Sequence, residues 1–132
     1  MRLAVDRLSG QERREKTMEA KEMTKLAIQA LEDKKADDIK VIDISDISTI
    51  ADYFIIASGK NRSQIQAMCD NVDETLGRAG VSMKQTEGYK TANWVLMDYG
   101  DIIVHIFDTE NRLFYDLERI WRDGKEIDIS EL

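Results

Sequence analysis

The run DYFIIASG, Asp52 to Gly59, places apolar side chains at consecutive positions, so a strand made from it buries both faces. It has to lie inside a sheet covered on two sides. The Ser-Gly pair at its end marks a turn, and a helix follows: Asn61 or Ser63 can cap it, and Ile65, Met68, Val72 and Leu76 form its stripe. This helix ends at Gly77 or Gly80. Upstream, Met23, Leu26, Ala27, Ala30 and Leu31 fall at helical spacing, giving an amphipathic helix that stops near Lys35. Lys40 to Ile44 alternates as a strand does, with Val41 on one side and Ile42 and Ile44 on the other. Downstream, Val81 and Met83 suggest a short strand, and EGYKTAN, Glu87 to Asn93, a loop. The order is helix, strand, strand, helix, strand, hairpin, helix, which is an α/β layered domain with a mixed, roughly five-stranded sheet and flanking helices.

The hairpin is WVLMDYGDIIVHIF, Trp94 to Phe107, two apolar runs joined at a Tyr-Gly turn between aspartates. With Tyr99 and Gly100 as the loop, Asp98 faces Asp101, Leu96 faces Ile103 and Trp94 faces His105. One face then carries Val95, Met97, Ile102, Val104 and Ile106 and belongs under helices. The other carries Trp94, Leu96, Ile103, His105 and Phe107, with both aspartates at the tip, and is a mixed aromatic and polar surface left open for a partner.

Composition narrows the function classes. The chain has 132 residues, 42% of them apolar, enough for one packed core. Its net charge of −7 argues against gripping phosphate backbones, which needs a clustered positive surface, and favours a basic partner instead. Cys69 is alone, so no internal disulfide forms, and it reads as a small buried hydrophobe beside the Ile65 stripe. No secretory leader and no bilayer-length apolar run is evident, so the expected home is the cytoplasm, with no membrane contact. There is no proline, and Gly, Asn, Asp and Ser must make the turns.

Catalytic signatures fail when tested. Asp101 and His105 stand four strand residues apart, about 13 Å, too far for shared metal ligation or acid/base work. Ser58-Gly59-Lys60 hints at a phosphate loop, but Phe54 stands where glycine is needed and Asn61 where Ser or Thr is needed. No two aspartates lie two apart, which leaves no source for a two-metal carboxylate pair. A Ser or Cys nucleophile lacks a base, since the single histidine sits in a strand with no orienting acid beside it. The reading is a non-enzyme with no cofactor, metal or dedicated nucleic-acid site. His105 is read first as a structural or pairing residue beside Trp94, with an interface contact and catalysis as its other readings.

The final helix, from Asp108 or Thr109 to Arg122, buries Leu113, Leu117, Ile120 and Trp121, while Tyr115 lies roughly 200° round from Leu113 and points outward. Trp94 and Tyr115 on one side of the domain would form a rigid docking patch rimmed by Asp98, Glu87 and Glu118.

DYFIIASG, the Glu87-Gly88 pair, WVLMDYGDIIVHIF and RLFYDLERIW, Arg112 to Trp121, together resemble the ribosomal silencing factor family, also called RsfS or Iojap-related. The resemblance covers about Met23 to Arg122. It implies a small α/β domain, homodimeric when free, with nucleotidyltransferase-like topology but without that fold's catalytic residues. It further implies binding to large ribosomal subunit protein fourteen, which sterically blocks joining of the small subunit and represses translation. Carried over by position, the docking residues are Trp94 and Tyr115, with Glu87, Leu96, Asp98 and His105 as neighbours. Alternatives are a nucleotidyltransferase-like enzyme acting on RNA or nucleotide, and a large-subunit assembly factor. Asn61 stands where the family often has Ser, which preserves helix capping. Residues 1–22 form a polar extension, with Ser9 and Glu12 as a possible capping box, that lies outside the resemblance; residues 23–122 form the domain, and residues 123–132 an acidic tail.

Overall fold

The computed structural model describes residues 18–109 and 124–132, together with two short strand segments, Leu3–Ala4 and Asp6–Arg7. The described chain runs α1 (Ala20–Asp33), β1 (Asp37–Asp43), β2 (Tyr53–Gly59), α2 (Arg62–Arg78), β3 (Gln85–Glu87), β4 (Trp94–Asp98), β5 (Ile102–Asp108), β6 (Lys125–Ile127) and a final 3-10 turn, Ile129–Glu131. The Ser9/Glu12 capping box and the final helix with Leu113, Tyr115, Leu117, Ile120 and Trp121 fall outside the described residues.

The six strands form one mixed sheet in the order β3-β4-β5-β2-β1-β6. Only the β2–β5 pair is parallel. β2 is interior and buried on both sides, as its unbroken apolar run requires: Ile55 and Ala57 are sealed under the helices, and Ile56 is sealed on the opposite face. Both described helices lie on the first of these faces. There Met23, Ala27 and Leu31 of α1 and Ile65, Met68, Val72 and Leu76 of α2 meet Val41, Val95, Met97, Val104 and Ile106 of the sheet. The second face carries a smaller cluster of Ile42, Ile44, Ala51, Ile56 and Phe107, with Phe54, Trp94 and Ile103 partly buried against it.

The helix ends follow their local chemistry. Asn61 Oδ1 accepts the Gln64 amide at 2.8 Å, while Gln64 Oε1 accepts the Lys60 amide at 2.7 Å, a reciprocal cap. The Gln64 side-chain Nε2 donates to the Lys34 and Lys35 carbonyls at the end of α1, fastening one helix to the other. Both helices close with left-handed residues, Lys35 (φ 62°) after α1 and Gly80 (φ 91°) after α2. No described helix is long and apolar enough to cross a membrane.

Four sequence expectations change. The hairpin pairs Trp94 with Phe107, Leu96 with His105 and Asp98 with Ile103, two residues away from the expected register. Tyr99 leaves the loop because its ring is buried against α2, where its hydroxyl donates to Asp73 Oδ1 at 3.0 Å. The turn is made instead by Gly100 (φ 90°) and Asp101, with the Tyr99 amide donating to the Ile102 carbonyl at 3.0 Å. A slip of two residues leaves every side chain on its expected face. The short strand forms at Gln85–Glu87, not at Val81 and Met83, which takes Glu87 out of the loop and onto the sheet edge beside Leu96. The acidic tail supplies β6, which pairs with β1 and makes the strands six rather than five. α1 begins at Ala20, one turn before Met23.

Candidate docking face

Side chains at alternate positions of a strand share a face, and directly opposed residues on paired strands share it too. Trp94, Leu96 and Asp98 of β4 therefore face the same way as Phe107, His105 and Ile103 of β5 and Glu87 of β3. Five of the six residues singled out in the sequence thus converge on the sheet face away from α1 and α2. The sixth, Tyr115, lies outside the described residues.

The face is closed in one part and open in another. Phe107 is completely buried and His105 is 5% exposed, whereas Trp94, Leu96, Asp98 and Ile103 are partly exposed and Glu87 is exposed. His105 thus sits below the surface expected of a direct contact. It acts on the indole: Trp94 Nε1 donates to His105 Nδ1 at 3.1 Å, a diagonal pairing across the two strands. An indole N–H only donates, so Nδ1 must be the accepting nitrogen, which puts the neutral ring's proton on Nε2. Burial pushes the imidazole pKa down to about 4, holding the ring in that neutral form near neutral pH.

Rings fix the rest of the geometry. Phe107 stacks on Trp94 with centroids 5.3 Å apart, and Phe54 meets His105 edge-on at 4.9 Å. The indole is therefore clamped by stacking and by one hydrogen bond, while its remaining surface reaches solvent. Asp98 has a structural duty as well, since its Oδ1 accepts the Gly100 amide at 2.8 Å and shapes the turn.

The Glu87-Gly88 pair has a steric explanation. Gly88 has φ 82°, and a Cβ there would lie 2.1 Å from the Trp94 carbonyl oxygen. Only glycine lets the chain leave β3 and pass this close to the start of β4. The following loop is tied to α2, with Gln66 Nε2 donating to the Tyr89 carbonyl at 2.9 Å and the Tyr89 hydroxyl to Asp70 Oδ1 at 2.9 Å. Sequence reasoning missed these anchors. No periodic signal marks them, whereas the burial of Tyr99 could have been read from its continuing the Val95, Met97 parity.

Elsewhere the geometry offers little for chemistry. Among the described residues no group of three His, Cys, Asp or Glu side chains is placed to hold a metal ion. Gly59 of the Ser-Gly-Lys turn is required by packing, because a Cβ there would come within 2.7 Å of Ile65 Cγ1. The Cys69 thiol is buried and pushed up to about 12, mainly by that burial, so it stays protonated and inert.

The model of the family described as "Ribosomal silencing factor during starvation" matches residues 17–132. The Ribosomal silencing factor RsfS of Halalkalibacterium halodurans is 37% identical over 113 residues, spanning 86% of this chain and 97% of the relative. The protein of the same name from Bacillus subtilis is 38% identical over 113 residues, spanning 86% of this chain and 96% of its own. A crystal structure of a protein from Chromobacterium violaceum superposes with a TM-score of 0.77 at 39% identity, covering 79% of this chain and 87% of the other.

Proposed function

The chain belongs to the ribosomal silencing factor family, and from that premise we propose that it represses translation by binding large ribosomal subunit protein fourteen and occupying volume the small subunit needs to join. The observation that carries this reading is the gathering of Trp94, Leu96, Asp98 and Glu87 on one sheet face, with the indole clamped yet partly exposed. A rigid aromatic anchor flanked by apolar side chains and rimmed by carboxylates fits a basic protein surface. The chain's net charge of −7 would speed that encounter. His105 is a positioning residue that aims Trp94, and Tyr115 joins the surface by resemblance. No bond is made or broken; the mechanism is exclusion, and a standard interface of about 1,600 Å² is enough for it. The free protein is proposed to be a cytoplasmic homodimer.

The test is sedimentation with isolated large subunits and with intact ribosomes. Binding to the isolated subunits alone is expected. Trp94→Ala should cost at least about 2 kcal/mol of that binding while the fold persists. Unimpaired binding by this variant would remove Trp94 as the anchor, and binding to intact ribosomes as tight as to isolated subunits would remove the exclusion mechanism.

A further inference from the structure

Ile47 and Ile50, in the loop between β1 and β2, are 50% and 78% exposed, the only large apolar side chains so exposed among the described residues. One exposed isoleucine is ordinary; two at the tip of a single ordered loop are less so. The loop is built to present them. Its roots, Ile44 and Ala51, are buried in the same apolar cluster against which Trp94, Phe54 and Ile103 pack. The Ile47 and Ser48 amides both donate to the Ile44 carbonyl, at 3.0 and 2.8 Å, and the Ile50 amide donates to Ser48 Oγ at 3.1 Å. Asp43 Oδ1 accepts from both the amide and the hydroxyl of Ser45.

Charge surrounds the two isoleucines. Asp43 and Asp46 lie on the loop's first limb and Asp52 on its last, and the Asp52 amide donates to the Asp101 carbonyl at 2.8 Å, which brings the β4–β5 turn alongside. Burial first, then Asp101 and Asp43, raise the Asp52 carboxyl above its ordinary range, so these carboxylates feel one another. Two lysines temper the cluster: Lys125 opposes Asp43 across β1 and β6, and Lys21 of α1 lines a cavity of about 410 Å³ together with Asp52 and Asp101. Among the described residues acid still exceeds base. No group of three His, Cys, Asp or Glu side chains among the described residues is placed to hold a metal ion.

We propose that the β1–β2 loop is a second docking element, in which Ile47 and Ile50 make the apolar contact and the surrounding aspartates steer a basic protein surface of the large ribosomal subunit. The inference rests on the ribosomal reading above and adds a contact region to it. The charge selects the occupant. A second copy would set acidic rim against acidic rim, and RNA would bring phosphates to carboxylates, both of which repel. A protein surface with apolar side chains among lysines and arginines satisfies both features at once.

The experiment compares wild type, the double variant Ile47→Ser/Ile50→Ser, Asp46→Lys and Trp94→Ala by sedimentation with isolated large subunits over a range of protein and salt concentrations. Both isoleucines already face solvent, so thermal unfolding of the double variant should match wild type. The double variant should bind at least about tenfold more weakly, with its mass by light scattering unchanged. Asp46→Lys, a second exposed change, should weaken binding and flatten its salt dependence. Wild-type affinity in both loop variants, with Trp94→Ala still defective, would overturn this inference and leave the ribosomal reading standing. Loss of self-association in the double variant, or equal binding of wild type to protein-free ribosomal RNA, would overturn it in favour of a second copy or of RNA. Failure of wild type to sediment with large subunits would remove both.

Discussion

Acid should destabilise this protein through one side chain, and the effect can be isolated because the chain has a single histidine. His105 is buried with Nδ1 committed to the Trp94 indole, and burial lowers its pKa from 6.5 to about 4. The unfolded chain takes up its proton near 6.5, while the folded protein resists until about 4. Stability therefore falls as pH drops through that window and is unaffected by this group above it. At about 1.4 kcal/mol per pH unit, the loss reaches about 2 kcal/mol at pH 5 and saturates at about 3 kcal/mol below pH 4. For a domain of this size, the former lowers Tm by roughly 8 °C. The assay has two parts. The imidazole Cε1–H resonance, unambiguous in a protein with one histidine, should titrate with a midpoint near 4 and not near 6.5. Denaturant unfolding at pH 7 and pH 5, run beside His105→Gln, subtracts the contribution of the carboxylates; wild type should lose about 2 kcal/mol more than the variant. A midpoint near 6.5, or parallel losses in the two proteins, would refute the reasoning.

Two stability predictions follow from the backbone. Gly88→Ala forces a Cβ against the Trp94 carbonyl at a positive φ, so it should destabilise by at least about 2 kcal/mol in thermal or urea unfolding and should weaken binding to large subunits as β4 shifts. Lys35→Gly should act the other way, stabilising by about 0.5–1 kcal/mol, because Lys35 occupies the left-handed position that closes α1; an unchanged denaturation midpoint would show that glycine's extra freedom in the unfolded chain offsets the relief of strain.

Periodicity carried most of the fold into view because the buried runs are long. The unbroken Tyr53–Gly59 segment and the stripes of α1 and α2 each repeat a single pattern for two turns or more, and the structure builds them as expected. β3 and β6 are three residues each and exposed at most positions, so they carry too little apolar signal to stand out from loop or tail. The hairpin register went astray for a different reason. Choosing between a Tyr99-Gly100 and a Gly100-Asp101 loop requires knowing that Asp73, on a distant helix, holds the tyrosine hydroxyl, and no local pattern records that. Trp94, Leu96, Asp98 and His105 still share a face because faces repeat every two residues and the shift was even. Burial was harder to read: alternation put His105 on the same face as Trp94, where the two rings pair as expected, but could not tell that the imidazole is almost wholly buried while the indole is only partly so.

That arrangement links the stability of the sheet to what it presents. The Trp94–His105 bond requires a neutral imidazole, since a protonated Nδ1 would set one donor against another. The cost of keeping the ring neutral in a buried site is the acid sensitivity described above. In return the indole keeps its orientation over the whole pH range above about 5, because the folded ring stays unprotonated there. His105→Phe would preserve the stacking volume and remove both the titration and the bond. Its effect should therefore divide, with stability in acid gained and the aim of Trp94 lost. Such a variant that bound large subunits as well as wild type would show that ring stacking on Phe107 alone is enough to hold the anchor.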